Sequence, residues 1–181
     1  MNPLPSAVFL DRDGTIMEDV RYVSNADDVK LIVGAAEAIA RVNSALVPIV
    51  VITNQSGIGR GYYSEEDYHR VEKRTEELLA ERGAKIDATY FCPHSPADGC
   101  ECRKPGTLLF ERAAADLRID LSKAVFIGDR LRDIEPALQF GGAMVLVPNA
   151  TTPAAEIERA KTIARVADSL AIALDWYVCT N

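Results

Sequence analysis

The chain of 181 residues contains no apolar run near the roughly 18 residues a membrane-spanning helix requires, which excludes such a helix. Its opening, Met1 to Leu10, lacks the basic stretch and long apolar segment of a secretory signal, so a cytoplasmic location is expected. Positive charge is in short supply: 20 Lys and Arg against 27 Asp and Glu leave a formal net charge of -7. That field repels polyanions at long range and argues against nucleic acid and membrane as partners. A small anionic substrate stays open if basic residues gather locally. Internal repeats, low-complexity tracts and linker-like stretches are missing, and residues 1–181 are expected to form one domain. Cysteine is scarce too, four in all, yet Cys92, Cys100 and Cys102 fall within eleven positions. In a cytoplasmic chain such a cluster points to metal before disulfide.

What the sequence does contain is 48% hydrophobic and 26% charged residues, the balance of an ordinary globular domain with one core. Short apolar runs at 7–10, 48–52, 89–92, 124–127 and 143–147 read as strands buried on both faces. Between them lie helical patterns. The clearest is 64–82, with Ser64 as N-cap, Asp67 three residues on, and Gly83 as the left-handed C-terminal cap. Further helices are expected at 35–44, 107–117, 133–140 and 169–178, and Thr152-Pro153 reads as a cap with proline at the first helical position. Strands alternating with helices predict an α/β fold: a doubly wound, three-layer α/β/α parallel sheet. Ligands in such folds sit outside the carboxyl ends of the strands, so the residues just past each strand decide the chemistry.

After the first strand comes Asp11-Arg12-Asp13-Gly14-Thr15. Two carboxylates leaving a buried strand are costly unless neutralised, and a divalent cation with oxygen ligands would do so. The second strand leads into Thr53-Asn54-Gln55-Ser56-Gly57, where a hydroxyl, amides and glycine-freed N–H groups suit a phosphate cradle. Arg103-Lys104-Pro105 brings two cations after the third strand, and Gly128-Asp129 with Asp133 brings further carboxylates after the fourth. Each alone could be a turn or a cap. Four in this order, each past a strand, indicate one shared site.

The segment Cys92-Pro-His94-Ser-Pro-Ala-Asp-Gly-Cys100-Glu-Cys102 supplies three thiols and an imidazole, the number and softness for tetrahedral Zn²⁺. All four positions are filled by protein, so a structural role is expected. Because Arg103 and Lys104 come directly after Cys102, ordering this loop is expected to position Lys104. Cys179 stands apart and reads as a helix-face residue.

Over nearly its whole length the chain resembles the haloacid-dehalogenase-like (HAD-like) phosphohydrolases, on Asp11-Arg-Asp-Gly-Thr15, Thr53, Lys104 and Gly128-Asp129 with Asp133. The resemblance implies a phosphatase with catalytic residues Asp11, Asp13, Thr53 and Lys104. Asp11 would be the nucleophile that becomes an aspartyl-phosphate, and Asp13 the general acid and then base. Thr53 and Lys104 would hold phosphoryl oxygens. Asp11, the Asp13 carbonyl and Asp129 would bind Mg²⁺. The zinc loop, Asp19 with Tyr22-Val23, and Thr53 to Gly57 narrow the likeness to the D-glycero-D-manno-heptose 1,7-bisphosphate phosphatases. Histidinol-phosphate phosphatases are close relatives that share the loop. The heptose resemblance implies removal of one phosphate from the sugar bisphosphate, giving heptose 1-phosphate for nucleotide-heptose biosynthesis. It also implies substrate contacts by Asp19, Tyr22, Thr53, Asn54, Gln55, Ser56, Arg103, Lys104 and Arg130. No cap domain fits in a chain this short, and a monomer is expected. Two departures lie beside the expected substrate rim: a stretch after Pro105 shorter by two residues than the family's usual pattern, and a compact loop between His94 and Cys100. The alternatives are a histidinol-phosphate phosphatase and a zinc-stabilised binding module that has lost catalysis.

Overall fold

Alternation within each strand divides the core in two. In the computed structural model, which describes residues 3–178, Val8, Leu10, Ile49, Val51, Val125 and Ile127 point to one face of a sheet. Phe9, Val50, Ile52 and Phe126 point to the other, as a period of two requires. The strands are β1 (Val8–Leu10), β2 (Ile49–Asn54), β3 (Ala88–Cys92), β4 (Val125–Gly128), β5 (Ala143–Leu146) and β6 (Arg165–Val166). All pair in parallel in the order β3-β2-β1-β4-β5-β6. The winding direction reverses between β1 and β4, and the crevice at that switch point is where a doubly wound sheet binds its ligand.

Helices α1 (Ala35–Ser44) and α3 (Glu65–Ala80) come after β1 and β2, with a single-turn α2 (Ser56–Gly59) between β2 and α3. Helix α4 (Leu108–Leu117) precedes β4, and α5 (Leu131–Ile134) and α6 (Ala137–Phe140) come after it. Helix α7 (Ala154–Ile163) lies between β5 and β6, and α8 (Leu170–Val178) closes the described chain; Cys179 lies outside it. Helices α1 and α8 cover the face of Val8 and Leu10, with Ile39, Val42, Leu170 and Leu174 buried there. Helix α4 covers the other face, where Phe9 stacks on Phe126 at 5.0 Å and meets Phe110 edge-on at 5.3 Å. The expected three-layer architecture is present. No described helix is long and apolar enough to cross a membrane.

The capping box at Ser64 forms as expected: Asp67 N–H donates to the Ser64 hydroxyl at 3.1 Å, and Ser64 N–H to the Asp67 carboxylate at 2.8 Å. Three expectations need correction. The helix expected at 133–140 is two short ones, α5 and α6, because Pro136 has no N–H to carry the ladder across. Strand β2 runs through Thr53 and Asn54, which therefore stand on the strand and not past its end. The cap of α7 is Pro153, since the Thr152 hydroxyl is engaged elsewhere, donating to the Asp129 carbonyl at 2.9 Å.

Candidate active site

Strands β1 and β4 end side by side, and their loops meet through one glycine. Asp11 N–H continues the ladder to Ile127 at 3.0 Å, and the Arg12 carbonyl then accepts from Ile16 and Met17 in a tight turn. Gly14 sits at φ +87°, where an added Cβ would lie 2.8 Å from Asn149 Nδ2 and 2.9 Å from Asp129 Oδ2. Only glycine allows the β1 loop to press against the β4 carboxylate. Asn149 secures the junction by donating to Asp129 Oδ2 at 2.9 Å and to the Gly14 carbonyl at 3.1 Å.

Asp11, Asp129 and Asp133 gather at the floor, their ligand oxygens within 4.8 Å of one another and all three buried. The Lys104 ammonium enters among them, 2.7 Å from Asp11 Oδ1 and 2.8 Å from Asp133 Oδ1, and donates to the Ile52 carbonyl. Burial opposes the Lys104 charge, but the two carboxylates outweigh it and hold the ammonium above its ordinary pKa. One cation does not neutralise three acids. Burial, with Asp133, Asp129 and Asp13 adding to it against Lys104, raises Asp11 to about 8. Burial and Asp133 raise Asp129 to about 6. Ionised together, the three buried carboxylates would exceed the Lys104 charge by two, with Arg132 Nε 4.0 Å from Asp133, and that demand for positive charge fits a divalent cation with oxygen ligands. Asp133 also accepts from Arg130 N–H at 3.0 Å, so it both grips Lys104 and caps α5. Its position in the Gly128–Asp133 motif was visible in the sequence; its grip on Lys104 was not.

Asp13 turns away from that floor. Its carboxylate accepts from buried Arg12, with Nη2 3.2 Å from both oxygens, from Gln55 Nε2 at 2.7 Å and from Thr53 Oγ1 at 3.4 Å. Asn54 holds the backbone of Lys104 in a reciprocal amide pair: Lys104 N–H donates to Asn54 Oδ1 at 3.0 Å, and Asn54 Nδ2 donates to the Lys104 carbonyl at 3.2 Å. The Lys104–Pro105 peptide bond is cis.

Above the floor opens a cleft of about 420 Å³. Every expected catalytic and substrate residue except buried Lys104 lines it: Asp11, Asp13, Asp19, Tyr22, Thr53, Asn54, Gln55, Ser56, Arg103 and Arg130. The rim segment carrying Asp19 and Tyr22 is anchored by Met17, Val23 and Val29 against Val71 of α3. The Arg130 guanidinium is held by Glu156 through Nε at 3.1 Å and Nη2 at 2.5 Å, a partner the local sequence does not indicate. Arg21, Arg60 and Arg132 join Arg103 and Arg130 around the opening, so a strongly acidic protein presents five arginines at one cleft.

Cys92 ends β3 opposite Asn54, and the loop beyond it folds back. The three sulfurs lie 3.2–3.6 Å apart, and His94 Nδ1 lies 3.2 Å from Cys102 and 3.7 Å from Cys92. Ligands about 2.3 Å from a tetrahedral centre lie somewhat under 4 Å apart, so this group fits zinc in donor chemistry and in spacing. Burial pushes the Cys92 thiol up; at Cys100 burial is outweighed by hydrogen bonds from Cys102 and Cys92, which bring it down to about 7. The cluster is tied to the catalytic side of the sheet. Gln55 N–H donates to the Cys92 carbonyl at 2.7 Å, and a Cβ on Gly106 would lie 2.2 Å from the Glu101 carbonyl oxygen.

Residues 101–173 match the family model described as HAD-hydrolase-like. The chain is 42% identical over 129 residues to a probable D-glycero-D-manno-heptose-1,7-bisphosphate 7-phosphatase of Thermoplasma acidophilum, covering 71% of this chain and 81% of that one. It is 38% identical over 165 residues to the D-glycero-beta-D-manno-heptose-1,7-bisphosphate 7-phosphatase of Photorhabdus laumondii, covering 87% and 88%. The fold superposes with a TM-score of 0.85 on the D,D-heptose 1,7-bisphosphate phosphatase of B. bronchiseptica in complex with magnesium and phosphate, at 32% identity over 94% of this chain and 97% of that one.

Proposed function

The chain belongs to the heptose-1,7-bisphosphate 7-phosphatase family of HAD-like hydrolases, and from that membership we propose that it removes the 7-phosphate of D-glycero-D-manno-heptose 1,7-bisphosphate, leaving heptose 1-phosphate. The observation that carries the reading is the buried floor: Asp11 Oδ1 lies 2.7 Å from the Lys104 ammonium, with Asp129 and Asp133 beside it. Asp11 attacks phosphorus as the ester P–O bond breaks, and a proton from the Asp13 carboxyl goes to the departing sugar oxygen. Water then attacks the aspartyl-phosphate, giving its proton back to Asp13 and releasing inorganic phosphate and the Asp11 carboxylate. Lys104 and Thr53 hold phosphoryl oxygens during both transfers. Mg²⁺ held by Asp11, Asp129 and the Asp13 carbonyl would supply positive charge beside those oxygens. Zn²⁺ held by Cys92, His94, Cys100 and Cys102 would fix the loop that leads into Lys104.

The five arginines of the rim suit a substrate with a second phosphate better than histidinol phosphate, which carries one anion and a cationic amine. Residues 1–181 act, in this proposal, as one capless domain. The test is phosphate release with Mg²⁺ across both anomers of heptose 1,7-bisphosphate, fructose 1,6-bisphosphate, histidinol phosphate and simple monophosphates, with Asp11→Asn as blank. The expected result is strong preference for one heptose anomer, lost in the blank. Preference for histidinol phosphate would overturn the substrate, and silence on every compound from folded, zinc-loaded protein would overturn the enzyme.

A further inference from the structure

Behind Asp13 stands a group that the phosphatase motifs do not include. The Tyr63 hydroxyl donates to Gln55 Oε1 at 2.7 Å, and Gln55 Nε2 donates both to Asp13 Oδ2 at 2.7 Å and to Thr53 Oγ1 at 2.7 Å. A carboxamide can rotate by half a turn and exchange its oxygen and nitrogen. Here rotation would set the amide oxygen against the Asp13 carboxylate, which only accepts, so the nitrogen faces Asp13 and the Tyr63 hydroxyl donates to the oxygen left at the other end. The ring of Tyr63 is itself fixed. An added Cβ on Gly57 would fall 2.0 Å from Tyr63 Cε1, so the ring occupies space that only a glycine at 57 leaves open. Burial and the nearby Asp13 charge raise the Tyr63 phenol to about 12, which keeps it a hydroxyl donor at neutral pH.

We infer that Tyr63 is a positioning residue for the reaction: through the Gln55 carboxamide it holds the Asp13 carboxyl where the departing sugar oxygen needs a proton. This rests on the phosphatase reading above, with Asp13 as general acid. Arg12 also grips the Asp13 carboxylate, so that Asp13 has two supports. The Tyr63 support differs in reaching Asp13 through one rotatable side chain, so deleting a single oxygen atom releases it.

The test uses the dependence on the leaving group. An alkyl oxygen, as in the sugar phosphate, departs only when protonated, whereas the p-nitrophenolate of an aryl phosphate departs without a proton. In the zinc-loaded full chain with Mg²⁺, Tyr63→Phe keeps the ring over Gly57 and should melt within a few degrees of wild type. It should lose about tenfold in kcat/KM on heptose 1,7-bisphosphate, one hydrogen bond's worth, and less than about twofold on p-nitrophenyl phosphate. Gln55→Ala also removes the donor to Thr53 and a cleft contact, so it should lose activity on both esters but more on heptose 1,7-bisphosphate, and adding Tyr63→Phe to it should cost nothing more. Equal losses on both esters, an unimpaired Tyr63→Phe, or additive losses in the double variant would each overturn the role of Tyr63. Should Tyr63→Phe fail to fold, equal losses on the two esters in Gln55→Ala would overturn it. Wild-type protein inactive on both esters, or an Asp11→Asn variant that keeps turnover, would instead bring down the phosphatase reading itself.

Discussion

Asp11, the proposed nucleophile, should destabilise the fold that carries it, and Asp11→Asn measures by how much. The Asp11 carboxyl is raised from an ordinary 3.8 to about 8, chiefly by burial. The folded state therefore holds a proton that the unfolded chain releases, so without a divalent cation stability falls as pH rises from about 4 to 8. At about 1.4 kcal/mol per unit, the shift caps this cost at roughly 5–6 kcal/mol at pH 8 and roughly 1–2 kcal/mol at pH 5. Asparagine removes the charge but also one of the two carboxylate partners of Lys104, which gives back part of the gain. The expected outcome is a variant about 2 kcal/mol more stable than wild type at pH 8, near parity at pH 5, and without turnover at either. Urea denaturation of zinc-loaded protein in magnesium-free buffer reads this directly. With a slope of about 2 kcal/mol per molar, the midpoint at pH 8 moves up by about 1 M. A variant no more stable than wild type at pH 8, or equally stabilised at both pH values, would refute the claim that the floor is held against uncompensated charge.

The same geometry sets three further outcomes. Lys104→Met leaves Asp11 and Asp133 without their shared cation; it should abolish phosphate release and cost about 3 kcal/mol at pH 8, less at pH 5, by the same denaturation assay. Asn149→Ala removes the donor that fixes Asp129, so the Mg²⁺ concentration for half-maximal rate should rise about 10–100-fold while KM for the sugar phosphate barely changes. Stripping zinc and restoring Mg²⁺ should lower both the melting temperature and turnover, and full turnover from a zinc-free sample would show that Lys104 does not depend on the loop.

The fold was largely legible because its signals are local. Short apolar runs marked five of the six strands among the described residues, and the Ser64–Asp67 box placed the start of α3 to the residue. The sixth strand, Arg165–Val166, is two residues long and carries no pattern; it exists because β5 offers it an edge. The break at Pro136 was written in the chain, and treating 133–140 as one helix overlooked it. At the site, the residue types and their place beside strand ends already selected Asp11, Asp13, Thr53, Lys104 and Asp129, as well as the thiol and imidazole group, since carboxylate, hydroxyl and thiol chemistry is a property of the side chain.

Partnership is another matter. Asp133 on Lys104, Asn149 on Asp129, Glu156 on Arg130 and Tyr63 on Gln55 join residues brought together by the crossover at β1 and β4 or by the packing of loops. The sequence by itself determined the alternating α/β order, the acidic surface and the set of reactive groups, because those depend on residue type and short spacing. Only the tertiary structure decided which charges are neutralised and which are left in excess, because burial and distance set those energies and neither is a property of a linear chain.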